Sequence, residues 1–167
     1  MIYDILVSGC IALKGAQALV LQHKDELVRR YGEAYIDKAI ERRDPEIGIP
    51  ADKGIRLIRQ IAEGGINAAL WQSAKELGCG LRVSLYDIPV YQDTIEICNT
   101  LDADPYTMDS DGQYIIYAEN GLSTVEELKA AGFKDAALIG HTTQDKKRLI
   151  IYGEVERFLT PPERVQA

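Results

Sequence analysis

Residues 63–83, EGGINAALWQSAKELGCGLRV, carry the reading of the fold. Within them Ile66, Ala69, Leu70, Ala74 and Leu77 recur at helical spacing, so one face of a helix over 66–77 is apolar and needs a core to lie on. Gly78 is a natural helix stop, because it accepts the left-handed conformation without strain. Directly after it, Leu81–Leu85 alternates apolar and polar residues, the period of a half-buried strand. A striped helix delivered straight into a strand predicts a helix packed on a sheet.

Working outward, Ile2–Val7 is an apolar, β-branched run and reads as a buried strand. Residues 15–31 and Glu33–Arg43 show helical periodicity, broken by Gly32 and stopped by Asp44-Pro45, since proline bars helical backbone in the residue before it. The stretch EIGIPADKG (46–54) reads as a loop within one domain, followed by a second helical stretch over Asp52–Ala62. Downstream, Thr94–Leu101 reads as helix and Tyr114–Ala118 (YIIYA) as a strand. Ser123 and Glu126 form a capping-box pattern for a helix to Ala131, closed by Gly132. Ala136–Ile139 and Leu149–Tyr152 read as strands on either side of a polar hairpin, HTTQDKKR, and the tail LTPPERVQA as a fraying end. The expectation is an α+β domain with a mixed sheet rather than regular βαβ alternation.

The composition fits one domain over residues 1–167. With 46% hydrophobic and 27% charged residues the chain is an ordinary globule, not a disordered one. A net charge of −7 repels phosphate backbones and anionic lipid, so neither nucleic acid nor a membrane surface is an expected partner. No run is apolar for long enough to cross a bilayer, and Asp4 sits where a signal peptide needs a cation. Cys10, Cys79 and Cys98 are an odd number without metal-ligand spacing, which suits a reducing cytoplasm and a packing role.

The strongest local candidate for a site is Glu63-Gly64-Gly65 with Asn67 at a helix start. Two glycines let a ligand reach the backbone, and free helix N–H groups favour an anion such as phosphate. The same glycines would equally serve a tight turn between packed elements, and no P-loop lysine follows. Ser110-Asp111-Gly112, ahead of a strand, could add a hydroxyl and backbone donors, or be a plain turn. Asp102, Asp104, Asp109 and Asp111 could ligate a hard cation, yet their spacing fits no EF-hand and turns favour these residues anyway. His23 reads as a surface residue. His141 ends a strand without a triad partner, and Ser8-Gly9 lacks a nucleophile elbow.

Several stretches together resemble the C-terminal domain of the AIR synthase superfamily, which includes AIR synthase, thiamine-monophosphate kinase, selenophosphate synthetase and the hydrogenase-maturation dehydratase. They are ILVSGCIALKGAQALV, EGGINAALWQSAKELGCGLRV, IPVYQDTIEICNTLDADPYTMDSDGQYIIYA, a helix ending KAAGF, and AALIGHTT. The resemblance is to the AIR synthase-related, hydrogenase-maturation-factor-like group. It implies a three-layer α/β/α unit with a mixed sheet, loosely ferredoxin-like, forming one wall of an ATP/substrate cleft. It further implies a partner, the N-terminal domain of the same protein, which would hold ATP and Mg²⁺ and pair two copies into a homodimer. This chain then reads as the second half alone, excised from a longer protein, with no cofactor of its own. On this basis Glu63, Gly64, Gly65, Asn67, Ser110 and Gly112 are the expected substrate or phosphate contacts, with no catalytic residue and no metal ligand. Two departures stand out. Relatives carry Asp-x-Thr-x-Gly-Gly where this chain has Gln60 and Ala62, and the dehydratase's terminal cysteine is replaced by ERVQA. Both leave open an alternative, a non-catalytic regulatory or assembly domain.

Overall fold

The structure is a computed structural model that describes residues 1–50, 53–110 and 112–162. Its centre is a seven-stranded sheet in the order β2-β4-β1-β5-β3-β6-β7. The strands are β1 (Asp4–Val7), β2 (Ile55–Gln60), β3 (Gly80–Ser84), β4 (Tyr114–Ala118), β5 (Ala137–Thr143), β6 (Arg148–Tyr152) and β7 (Val155–Phe158). All neighbours run antiparallel except β3 and β6, which are parallel, so the sheet is mixed as expected. The helices are α1 (Leu13–Gln22), α2 (Lys24–Tyr31), α3 (Glu33–Glu41), α4 (Gly65–Leu77), α5 (Gln92–Thr100) and α6 (Gly121–Ala131).

Strand alternation sends successive side chains to opposite faces, and both faces are covered by helix. On one, Ile5, Val7, Ile115, Tyr117, Leu81 and Val83 pack against Ile66, Ala69, Leu70 and Ala74, the stripe of α4. On the other, Leu6, Ile116 and Ala118 meet Leu128 of α6 and Phe133. The first helices form a smaller core of their own with α5, from Val20, Leu27, Ile36, Ala39 and Ile97. Tyr117, fully buried on a central strand, shares a 2.6 Å hydrogen bond between its hydroxyl and that of Ser73 on α4. Sheet and helix are thereby tied by a satisfied polar pair inside the core.

Four readings of the sequence are corrected. Asp52–Ala62 is not a helix: its described part holds β2, an edge strand paired with β4. Ile55, Leu57 and Arg59 lean inward while Arg56, Ile58 and Gln60 are exposed, a period of two that the accidental three-residue spacing of Ile55, Ile58 and Ile61 conceals. Ala51 and Asp52 lie outside the described residues. The segments around HTTQDKKR are not a hairpin either, because β3 lies between β5 and β6 and bonds both. His141 therefore sits within β5 rather than at a turn. The cap of α6 is Asn120, whose side chain accepts from the Ser123 N–H at 3.2 Å; Ser123 is already inside the helix. Residues 15–31 are two helices, divided at His23. β7 carried no sequence expectation. Among the described residues it pairs with β6 alone, and all four of its own residues are exposed. Of the tail, Leu159 is buried, and residues 163–167 lie outside the described residues.

Candidate functional site

The turn at Gly64-Gly65 is built by contact with another part of the chain. Both glycines take the left-handed conformation, with φ of +85° and +70°. A β-carbon on Gly65 would lie 2.6 Å from the Thr107 carbonyl carbon and from the Tyr106 carbonyl oxygen. The short 3₁₀ turn Pro105–Thr107, capped by Asp104 accepting from the Tyr106 N–H at 2.9 Å, thus rests directly on the start of α4. Close backbone approach, not ligand binding, suffices to explain this glycine. Glu63 is exposed and Gly64 and Asn67 are half-buried. They line an open cleft of about 670 Å³ with Thr107, Thr160, Pro161 and Pro162.

Ser110 and Gly112 do not join that cleft. Ser110 is buried, and its hydroxyl oxygen accepts from the Ala12 N–H at 2.6 Å. Ala12 precedes α1 and is left-handed, with φ of +65°, an unfavourable state for a residue with a β-carbon. Ser110 therefore fixes where α1 begins rather than facing solvent. Asp111 lies outside the described residues. Gly112 lines a second cleft, of about 400 Å³, together with Lys14, Gln17, Arg42, Arg43, Gln60 and Tyr114. Three segments converge here: the first turn of α1, the end of α3 with the loop after it, and the ends of β2 and β4. Gln17 joins the first two, its amide donating to the carbonyls of Ala39 at 3.1 Å and Arg42 at 2.8 Å.

Lys14, Arg42 and Arg43 gather at this cleft, with Asp44 and Glu46 beside them and Arg42 paired with Asp93 at 2.9 Å. Cations gathered at a cleft of an acidic molecule offer a handle to an anionic ligand. The sequence reading passed over these three cations; the adjacent Arg42-Arg43 at the end of a helix, ahead of Asp-Pro, was the signal available. Gln60, singled out as a departure from the superfamily pattern, lies in this cleft, whereas Ala62 belongs to the cleft at Gly64.

The remaining candidates have structural roles. Ser8 donates from its hydroxyl to the Gln113 side-chain oxygen at 2.5 Å and accepts from the Tyr114 N–H at 2.8 Å. Burial pushes the Cys10 thiol up to about 12 and Cys98 up to about 11, which disarms both as nucleophiles. Among the described residues no group of three His, Cys, Asp or Glu side chains could hold a metal ion. Among the described residues no helix is long and apolar enough to cross a membrane.

The cleft beside Gly112 thus sits on an α+β domain whose mixed sheet is covered by helices on both faces. The chain belongs to the family described as AIR synthase related protein, C-terminal domain, whose model matches residues 5–152. It is 32% identical over 166 residues to the carbamoyl dehydratase HypE of Escherichia coli K12, covering 95% of this chain and 47% of that protein. The fold superposes on the crystal structure of E. coli HypE, a hydrogenase maturation protein, with a TM-score of 0.75 and 26% identity, over 97% of this chain and 50% of that one. A crystal structure of the hydrogenase maturation protein HypE in complex with ATP shares the fold, with a TM-score of 0.71 at 17% identity, over 97% of this chain and 51% of that one. The chain spans about half the length of the relatives it matches.

Proposed function

We propose that this domain forms one wall of an ATP/substrate cleft that a second, nucleotide-holding domain completes, and that the cleft beside Gly112 receives the anionic part of the substrate. The observation carrying this reading is the convergence of Lys14, Arg42 and Arg43 with Gln60 and Gly112 on one cavity. Family membership, the half-length match and the ATP-bound relative support it. ATP and Mg²⁺ belong to the other domain, as does the pairing of two copies. Phosphoryl transfer depends on positioning and cationic charge at the phosphates, so the 167 residues alone do not hydrolyse ATP. Unpaired cysteines fit a cytoplasmic site of action.

Gln60 and Ala62 favour a second reading, a non-catalytic regulatory or assembly domain. A neutral amide and a methyl group cannot supply the base or the hydroxyl that an Asp and a Thr would. Titration of the amide NMR spectrum with inorganic phosphate and with a non-hydrolysable ATP analogue tests both. Shifts at Gly112, Lys14 and Arg43 support the anionic cleft, and shifts at Gly64, Gly65 and Asn67 instead move the site to the α4 start. An unmoved spectrum in a protein containing both domains supports the assembly reading. Robust Mg²⁺-dependent ATPase activity from this chain alone would overturn the proposal.

A further inference from the structure

The loop from Arg42 to Pro50 is a partition as well as a connection. Arg43, Asp44 and Pro45 line both the 400 Å³ cleft and a smaller cavity of about 130 Å³ behind them, bounded by Ser8, Tyr91, Gln113 and Asp135. What holds the partition in place is largely polar. Arg42 donates from Nε and Nη2 to the Asp93 carboxylate at 3.1 and 2.9 Å, and its guanidinium lies 3.9 Å from the Tyr91 ring centre. Gln113 donates to the Asp44 carboxylate at 2.7 Å while its oxygen accepts from Ser8. Apolar support comes from Ile47, seated over Gly132, and from Ile49 in the α6-side core. Polar pins of this kind trade readily for water, so such a segment belongs to the low-stability end of a native structure.

We propose that residues 42–48 form a latched strap that swings open about Ile49 when Arg42 leaves Asp93 and Tyr91, joining the two cavities into one cleft that runs from Gln60 to Tyr91. The strap decides whether a ligand meets a shallow cationic pocket or a deep one reaching Ser8 and Asp135. The inference needs no assumption about what the cleft binds. The two ends of the strap differ: Ile49 keeps its apolar seat while the Arg42 end carries the latch.

Cys10 is a built-in reporter. It is buried and follows Gly9, which lines the smaller cavity with Tyr91 and the strap residues Arg43, Asp44 and Pro45. Cys98, buried on α5 with its sulfur 3.9 Å from that of Met108, is the internal control. The experiment is alkylation of the native chain with N-ethylmaleimide across a urea series, resolved by site with peptide mass spectrometry. Cys10 is expected to react faster than Cys98 and with little urea dependence, the mark of a local opening, while Cys98 follows global unfolding. Arg42→Lys keeps the charge but loses the planar fork and the stacking on Tyr91, and should raise Cys10 labelling roughly tenfold with Cys98 unchanged. Amide exchange of Arg43–Gly48 should show one shared opening rate, accelerated by the same factor. The proposal is overturned if Cys10 reacts with the urea dependence of Cys98 in the wild-type chain, a result that stands even if the variant fails to fold. It is equally overturned if Arg42→Lys leaves Cys10 labelling unchanged.

Discussion

Replacing Gly65 with alanine separates the two roles that a glycine pair at a helix start can have. The new methyl group would stand 2.6 Å from the Thr107 carbonyl carbon and the Tyr106 carbonyl oxygen and 2.7 Å from the Met108 nitrogen, all of them backbone atoms that cannot rotate aside. Left-handed backbone costs an alanine about 1 kcal/mol, and forcing a methyl into packed surroundings about 1–3 kcal/mol more. The expected loss is therefore about 2–4 kcal/mol. Gly78→Ala is the matched control, since its φ is +65° and nothing lies within 4 Å of the added carbon. It should lose only the conformational part, about 1 kcal/mol. For a chain of this size the melting temperature falls roughly 2–4 °C per kcal/mol, so Gly65→Ala should melt about 5–15 °C lower and Gly78→Ala about 3 °C lower. Urea unfolding without ligand gives both numbers. If Gly65→Ala proves as stable as Gly78→Ala, the contact with the 3₁₀ turn does not hold the glycine in place, and a ligand becomes the reason for it.

The cap of α6 makes a sharper test of a single hydrogen bond: Asn120→Ala should cost about 1 kcal/mol in urea unfolding, and Ser123→Ala well under half of that. The reverse order would restore Ser123 as the cap. Alkaline pH should destabilise the fold. Cys10 and Tyr91 are pushed up to about 12 and Cys98 to about 11 by burial, against 9.0 for a free thiol and 10.0 for a free tyrosine. The folded state keeps protons that the unfolded chain releases, so stability is whole below about pH 9 and declines as pH rises toward the folded values. Urea midpoints between pH 8 and 11 measure the slope, and Cys10→Ala with Cys98→Ala should flatten it. A midpoint that does not move over that range would contradict the burial of these groups.

The helix over 66–77, its glycine stop and YIIYA were legible because each has a single period and a chemical terminator. The IRLIRQI segment (55–61) was not, because three isoleucines at spacing three satisfy a helix as well as the edge of a sheet, and only the free side of β4 decides between them. Sheet order was likewise out of reach: two strands joined by eight polar residues look like a hairpin until a third, from residues 80–84, takes the place between them. At the site, the glycines announced a backbone approach without saying to what, and the answer is the chain itself. Ser110 and Gly112 were read as neighbours in one pocket, yet one is buried under Ala12 and the other opens on the cationic cleft. The arginines of that cleft drew no reading, since nothing local tells that the start of α1 and the ends of α3 and β2 lie beside one another.

The strand order also has a kinetic side. β1 lies between β4 and β5, so residues 4–7 find their neighbours at 114–118 and 137–143. β3 in turn needs both 140–143 and 148–151. Almost every adjacent pair in the sheet closes a long loop, and the one tight reversal, β6 to β7, lies at the margin. Folding of such a topology is slow for its size, because loop-closure entropy is lost before the contacts that offset it can form. A growing chain would emerge from the ribosome with an inner strand already made, its first neighbour arriving only at Tyr114–Ala118 and its second at Ala137–Thr143, leaving Ile5, Leu6 and Val7 among the first sticky surfaces a chaperone could meet.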